Sequence, residues 1–252
     1  MFLAVIGDPI AHSLSPAIHT AVFSELGLPL TYRKFQVKKD GLAAWLPTVK
    51  AEGIGGFNVT MPLKAEAAAV CGSKMASVNT VRIEPDGMLT GFSTDGDGFL
   101  LALDELEVDL AGMSVVIAGQ GSVASVLSGA MTGRDATVRS VSVREGTAEL
   151  HKWMPQTGLL INATPLGMKG QDWDDLNFLQ HLPKTAVVVD LLYSPPVTSF
   201  LQEASTLGLR TQNGLPMLIY QAILSDEIYL RRSLDVKGLK ARVEAAIPQQ
   251  PF

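Results

Sequence analysis

Four polar clusters in the N-terminal part of the chain have residue types suited to holding an oxygen-rich anion and moving a proton. The first is His12-Ser13-Leu14-Ser15-Pro16. Ser15-Pro16 has the form of a helix start, with Ser15 as N-cap and Pro16 at the first helical position. Two hydroxyls there could also bind a carboxylate. The second is Asn58-Val59-Thr60-Met61-Pro62-Leu63-Lys64, directly after an apolar run. A lysine in the first turn of a helix stands at the end where cations are disfavoured, an arrangement suited to giving up a proton. Alone, Lys64 would read as a surface lysine. The third is Asn79-Thr80, where Asn in a strand is unfavoured unless its side chain has a task. The fourth is Ser93-Thr94-Asp95-Gly96. Asp95 could cap the helix that follows, or it could pair with Lys64 and orient the ammonium.

A fifth feature lies further on. Gly119-Gln120-Gly121-Ser122-Val123-Ala124 follows the apolar run Ser114–Ala118 and opens a helical pattern reaching Met131. This is G-x-G-x-x-A in a strand–turn–helix setting. The first glycine permits the turn, the second lets backbone approach a pyrophosphate, and the small third residue lets helix and strand pack closely. Without a ligand it would be only a tight turn. After the next strand come Val143-Arg144-Glu145. Arg144 suits an adenosine 2′-phosphate and so NADP, whereas Glu145 suits a free ribose hydroxyl and keeps NAD open. A dinucleotide loop together with a lysine–aspartate pair points to an alcohol/ketone oxidoreductase.

The elements that must carry these clusters alternate along the chain. Strand patterns fall at Phe2–Ile6, Thr31–Val37, Gly55–Val59, Val78–Ile83 and Leu89–Phe92, the last two joined by the turn Pro85-Asp86-Gly87. Helical faces lie between them: Ile18, Val22, Phe23 and Leu26 on one, and Leu42, Trp45, Leu46 and Val49 on another, with Asp40 as expected cap. From Gly112 the alternation restarts, with strands at Ser114–Ala118, Thr137–Val143, Leu159–Asn162 and Ala186–Asp190. The final helices, from about Leu215 to Ala246, have no strands of their own and are expected to pack on the first unit. The pattern predicts an α/β fold of two domains. Residues 1–95 with 215–252 form an α/β substrate-binding catalytic domain, and 96–214 a Rossmann-like, doubly wound nucleotide-binding domain.

Composition bounds the rest. The chain has 252 residues, 47% of them apolar, enough to bury a substantial core. The net charge of −5, with no basic stripe interleaved with aromatics, argues against a nucleic-acid binder. A single cysteine, Cys71, cannot form an internal disulfide and fits a reducing compartment. The N-terminal apolar run is too short for a signal segment, and no stretch has the ~20 apolar residues of a membrane span. A cytoplasmic location is expected, with a small-molecule substrate, no nucleic-acid or membrane partner, no metal, and an oligomeric state the sequence does not give.

Five blocks, in this order, resemble the motifs of the shikimate dehydrogenase family. They are Gly7-Asp8-Pro9-Ile10-Ala11-His12-Ser13-Leu14-Ser15-Pro16, Gly56-Phe57-Asn58-Val59-Thr60-Met61-Pro62-Leu63-Lys64, Asn162-Ala163-Thr164-Pro165-Leu166-Gly167-Met168, Asp190 through Thr198, and Gly214 through Gln221. The resemblance implies reversible NADP-linked reduction of 3-dehydroshikimate to shikimate. It assigns Lys64 as acid/base with Asp95 beside it. Ser13 and Ser15, helped by Tyr193, would bind the substrate carboxylate, and Thr60, Asn79 and Gln221 the ring hydroxyls. Gly119, Gln120, Gly121, Ser122 and Val123 would cradle the pyrophosphate, with Arg144 at the 2′-phosphate. Thr164, Leu191 and Gly214 would line the nicotinamide half. The chain departs from the family pattern at Ser93 (commonly Asn), at Gln120, Ser122 and Val123 in the glycine loop, at Glu145, at Ala76-Ser77 and at Thr20, and the segment between Lys64 and Asn79 is short. The alternatives are an NAD-dependent quinate/shikimate or aminoshikimate dehydrogenase and a ligand-binding paralogue without turnover.

Overall fold

A computed structural model describes residues 2–247. Among these the chain forms two compact units, one of residues 2–98 and 218–247 and the other of residues 99–217.

The first unit is built on a five-stranded sheet, β2-β1-β3-β4-β5. Its strands are β1 (Phe2–Gly7), β2 (Tyr32–Gln36), β3 (Ile54–Val59), β4 (Thr80–Ile83) and β5 (Leu89–Phe92). β1 pairs in parallel with β2 and β3, whereas β4 runs antiparallel to β3 and turns back into β5 as a hairpin. Every residue of β1 is buried, which is why it reads as an unbroken apolar run rather than an alternation. Phe2, Ala4 and Ile6 face a core shared with Phe57, Val59, Leu63 and Val81. The helices are α1 (Ser15–Glu25), α2 (Leu42–Glu52), α3 (Lys64–Val70) and the start of α4 (Asp95–Glu105), with most of α8 (Leu215–Leu230) and all of α9 (Val236–Ala246). α9 packs against α1.

The second unit has a wholly parallel sheet, β10-β9-β8-β6-β7. It comprises β6 (Ser114–Ala118), β7 (Thr137–Val141), β8 (Leu159–Asn162), β9 (Val187–Asp190) and β10 (Arg210–Gln212), with α5 (Ser122–Thr132), α6 (Ala148–Trp153) and α7 (Ser199–Thr206) between strands. Side chains alternate across a strand. Val115, Ile117, Leu159, Ile161, Val187 and Val189 enter one core with Phe99, Leu103 and Leu127. Val116, Leu160 and Val188 enter another with Phe178, Phe200 and Leu201. Both faces are thus covered, as a parallel sheet requires.

Three local expectations change. Ser15 is not the cap of α1: Leu14 occupies that position without a side-chain bond, and the Ser15 amide donates to Ser13 Oγ at 3.2 Å. Asp40 does not cap α2. It adopts φ of 63°, and its own N–H and that of Leu42 donate to the carboxylate of Glu66, reached from α3. A distant carboxylate replaces the local one, which sequence spacing does not reveal. β10 adds a strand beyond the sequence pattern, since Arg210-Thr211-Gln212 is a short polar edge strand without apolar alternation.

Candidate functional site

The first four clusters all lie at one end of the first sheet. β1 and β3 are parallel neighbours, so the loops that leave them, carrying Ser13 and Ser15 and carrying Thr60, emerge together. The antiparallel hairpin returns Asn79 and Phe92 to that same end, with Thr80 opposite both Asn58 and Phe92. Thr60 is tied in by its N–H, which donates to Ile6 O at 2.9 Å, and its methyl crowds Gly7, where no side chain would fit.

Lys64 is the first residue of α3 and Asp95 the first of α4. Lys64 Nζ donates to Asp95 Oδ2 at 2.6 Å, with side chains 11% and 6% exposed. So little exposure takes the pair out of the class of weak surface salt bridges. The other carboxylate oxygen accepts from Asn79 Nδ2 at 2.9 Å. Asn79 Nδ2 also points to Gln221 Oε1 at 3.2 Å and Thr94 Oγ1 at 2.9 Å. Gln221 sits on α8, where Gly98 admits its backbone so closely that a Cβ at residue 98 would lie 2.8 Å from the Gln221 nitrogen. Lys64, Asp95, Asn79 and Gln221 therefore form one connected group, with Asp95 as the shared acceptor and Lys64 as the edge cation. Such a group can hold a proton at the lysine and orient a polyhydroxylated ligand.

Behind this group is a second tier, in which Asn58, Thr80 and Thr94 come from the clusters read in the sequence and Ser225 and the bonds among them do not. Asn58, Thr80, Thr94 and Ser225 are buried and bonded to one another and to Asn79. Deeper still, His19 Nδ1 lies 2.8 Å from Asp226 Oδ1, both side chains wholly buried, and the His19 ring stacks on Tyr32. Burial pushes the Asp226 carboxyl upward, opposed by His19. Residues 19 and 226 carry no motif, and their separation in sequence hid the pairing.

In the second unit the glycine loop follows β6 and opens α5. Gly119 has φ of 117°, and a Cβ there would lie 2.9 Å from Ala163 O, so only glycine fits. Gly121 is the N-cap of α5, with no side chain bonded to the first turn, and a Cβ there would meet nothing within 4 Å. The first-turn N–H groups are thus left to an external acceptor, and the space before them is open. A pyrophosphate fits this arrangement. Gln120 turns aside to Ser140 O at 3.3 Å, and Ser122 and Val123 form the first turn of α5. The Arg144 side chain is exposed and forms no ion pair among the described residues, free to meet a phosphate. Thr164 lies against Gly119, its N–H and hydroxyl both donating to Asn162 Oδ1. Leu191 abuts Gly214, whose N–H donates to Leu192 O at 2.9 Å. Tyr193 follows in the same loop after β9 and so belongs to this unit, whereas the other residues assigned to the substrate belong to the first. Asp190, at the end of β9, accepts from Thr198, Leu192 and Asn162, and burial holds its carboxyl at about 6. No group of side chains able to hold a metal ion occurs among the described residues, and no helix among them is long and apolar enough to cross a membrane.

A buried lysine–aspartate pair on one α/β unit and an open glycine loop at a helix start on another fit the class of nicotinamide-dependent oxidoreductases. Comparison with known proteins narrows the class. Residues 5–81 match the shikimate dehydrogenase substrate binding domain. The NADP(+) shikimate dehydrogenase of Sphingopyxis alaskensis is 38% identical over 90% of both chains, and that of Geobacillus kaustophilus is 34% identical over 96% of this chain and 97% of its own. Among solved structures, the Thermus thermophilus shikimate 5-dehydrogenase, crystallised with NADP(H) and shikimate, superposes with a TM-score of 0.82 at 30% identity, covering 98% of this chain and 99% of that one. The chain belongs to the shikimate dehydrogenase family.

Proposed function

We propose that this protein is an NADP-dependent shikimate dehydrogenase, interconverting 3-dehydroshikimate and shikimate in the cytoplasm. The observation that carries the reading is the Lys64–Asp95 pair at 2.6 Å, joined through Asn79 to Gln221, in a chain of this family. The first unit binds the substrate and the second the cofactor.

Lys64 is the acid/base residue. In the reducing direction its ammonium donates a hydrogen bond, then a proton, to the ring oxygen as negative charge builds there, and in the oxidising direction the amine takes that proton back. Asp95 holds Nζ in place and balances its charge. Asn79, Gln221 and Thr60 bond the ring hydroxyls, while the hydroxyls of Ser13 and Ser15, at the start of α1, take the carboxylate. NADP, when bound, supplies and accepts the hydride. Gly119 through Val123 hold its pyrophosphate, Arg144 its 2′-phosphate, and Thr164, Leu191 and Gly214 its nicotinamide half.

The test is an absorbance assay at the reduced-nicotinamide band, crossing shikimate and quinate with NADP and NAD. Reduction of NADP by shikimate is expected to be the fastest combination. Quinate with NAD outrunning it would make this a quinate dehydrogenase, and no turnover despite calorimetric binding of shikimate would make it a ligand-binding relative.

A further inference from the structure

The edge of a sheet presents unpaired backbone N–H and C=O groups, and charged side chains along an edge keep other strands from adding to it. Among the described residues the two sheets end on four strands, β2 and β5 in the first unit, β10 and β7 in the second. β2 carries exposed Arg33 and Lys34, β10 exposed Arg210 and β7 exposed Arg139. β5, Leu89-Thr90-Gly91-Phe92, carries neither a charge nor a proline. It is the edge without a guard.

Apolar side chains that the fold leaves exposed lie beside it. Met88, directly before β5, is 64% exposed. Met75, 40% exposed, lines an open cavity of about 360 Å³ with Phe92, Leu224 and Ile228, all within the first unit. The exposed methionine stands at one end of β5 and the cavity at the other.

The ladder with β4 decides which backbone groups of β5 point outward. The Glu84 N–H donates to Met88 O at 2.8 Å, which makes residues 84 and 88 a hydrogen-bonded pair. In the register of the hairpin, Arg82 with Thr90 and Thr80 with Phe92 continue that series at every second residue. The N–H and C=O groups of Leu89 and Gly91 therefore face away from β4. A second β5, antiparallel and centred on Thr90, sets Leu89 of each copy against Gly91 of the other and pairs every one of these groups.

We propose that β5 is a dimerisation edge: two copies of this chain pair β5 with β5 about a two-fold axis, joining their five-stranded sheets into one. In this register Met88 falls opposite Phe92 of the second copy. Side chains alternate along a strand, so both lie on one face of the joined sheet, and Met88 seats against the cavity beside that Phe92. A foreign extended peptide could match the backbone groups alone. Knob and cavity are both on this chain, however, and a two-fold axis brings each to the other, which is the self-complementarity of an isologous contact. The dehydrogenase reading has no part in this inference.

The experiment is sedimentation equilibrium of the full chain, from about 1 to 100 µM so that mass action can be followed. The expected mass at the upper end is about twice the 26.9 kDa of one chain. Met88→Lys, at a position exposed in the single chain, should weaken the dimer at least about tenfold by placing a charge at the seam. For a direct reading of the register, Thr90→Cys is made in a Cys71→Ala background, so that residue 90 carries the chain's one thiol. Directly opposed residues of a non-hydrogen-bonded antiparallel pair have Cα atoms about 4.5 Å apart, within disulfide range. Mild oxidation with diamide should then convert most of the protein to a covalent dimer, and the Cys71→Ala chain by itself should give none. A monomer throughout the concentration range overturns the proposal. So does a dimer that Met88→Lys leaves at unchanged affinity, or one in which Thr90→Cys folds but does not cross-link, since either puts the interface elsewhere. Should Thr90→Cys fail to fold, sedimentation of wild type and Met88→Lys decides.

Discussion

Lys64 Nζ lies 2.6 Å from Asp95 Oδ2, and these two residues begin two different helices, α3 and α4. Each is placed by the strand before it, β3 for the lysine and β5 for the aspartate. Asp95 is well sited at a helix N-terminus, where negative charge is favoured, whereas Lys64 is not. The lysine is therefore held by its partner rather than by its own helix. Asp95 in turn accepts from Asn79 on its other oxygen.

Lys64→Ala removes the proposed proton donor and leaves in place the hydroxyls proposed to bind the substrate. General acid–base catalysis contributes about 10²–10⁴-fold, so kcat for shikimate oxidation should fall by that range while KM moves much less. Steady-state kinetics decide this. A variant with near-normal kcat would remove Lys64 from the chemistry.

Asp95→Asn tests the partner. Both carboxylate oxygens accept from nitrogen donors, Lys64 on one side and Asn79 on the other. An amide cannot accept on both sides, so one donor must meet an NH₂ group. The expected outcome is a kcat loss of at least about 100-fold, in the range for a misplaced acid–base group. A fall in stability of about 1–3 kcal/mol should accompany it, from the donor left without a partner. Denaturant unfolding beside kinetics measures both. Unchanged stability would mean that the pair is not the anchor described here.

The sequence reading succeeded where one residue type in one local pattern carried the signal. Val115 to Ala118 and Leu159 to Ile161 are apolar throughout because both sheet faces are covered, and strand placement followed directly. The bond between Lys64 and Asp95 was legible as a possibility, since an acid after one strand and a base after another must emerge at one sheet end if the topology is right. Ser15 and Asp40 show the limit. Each has the residue type of a cap, yet the backbone bonds are taken by Ser13 and by the distant Glu66. His19 with Asp226 and Tyr32 with Asn58 were invisible for the same reason. Long-range pairing of buried polar groups depends on packing, and no periodicity announces it.

Gly121→Ala separates ligand binding from folding. A Cβ at this position meets nothing within 4 Å, and φ of −77° suits any residue. The melting temperature should change by no more than about 2 °C, since Gly to Ala at an N-cap costs about a kilocalorie or less. If the loop cradles a pyrophosphate, the added methyl occupies that space, and the Kd for NADP by calorimetry should rise at least about tenfold. Unchanged affinity would show that the pyrophosphate does not approach Gly121.

Arg144→Ala tests cofactor choice. The side chain is exposed and unpaired with any carboxylate among the described residues, so its removal should leave stability unchanged. Arg–phosphate bonds are charge-assisted and worth about 1.5–3 kcal/mol, which predicts a 10- to 100-fold weaker NADP affinity, as an order of magnitude, with NAD affinity unaltered. Equal loss for both cofactors would place Arg144 away from the 2′-phosphate.

Asp190→Asn concerns pH and the second unit. Burial raises the Asp190 carboxyl from 3.8 to about 6, against the opposing hydrogen bonds of Thr198, Leu192 and Asn162. Between those values the folded chain keeps a proton that the unfolded chain has released. The stability contributed by this group is therefore full below about pH 3.8 and is lost as pH rises through about 6. Asparagine cannot titrate, so wild-type stability minus that of the variant should fall with rising pH across this window. The fall should reach up to about 3 kcal/mol, because each tenfold change in proton affinity on folding is worth about 1.4 kcal/mol. Urea unfolding followed by tryptophan fluorescence reads it, since Trp153 and Trp173 report on the second unit and Trp45 on the first. A difference that rises with pH would show that Asp190 is held as a stabilised carboxylate by its three donors, with burial the lesser force.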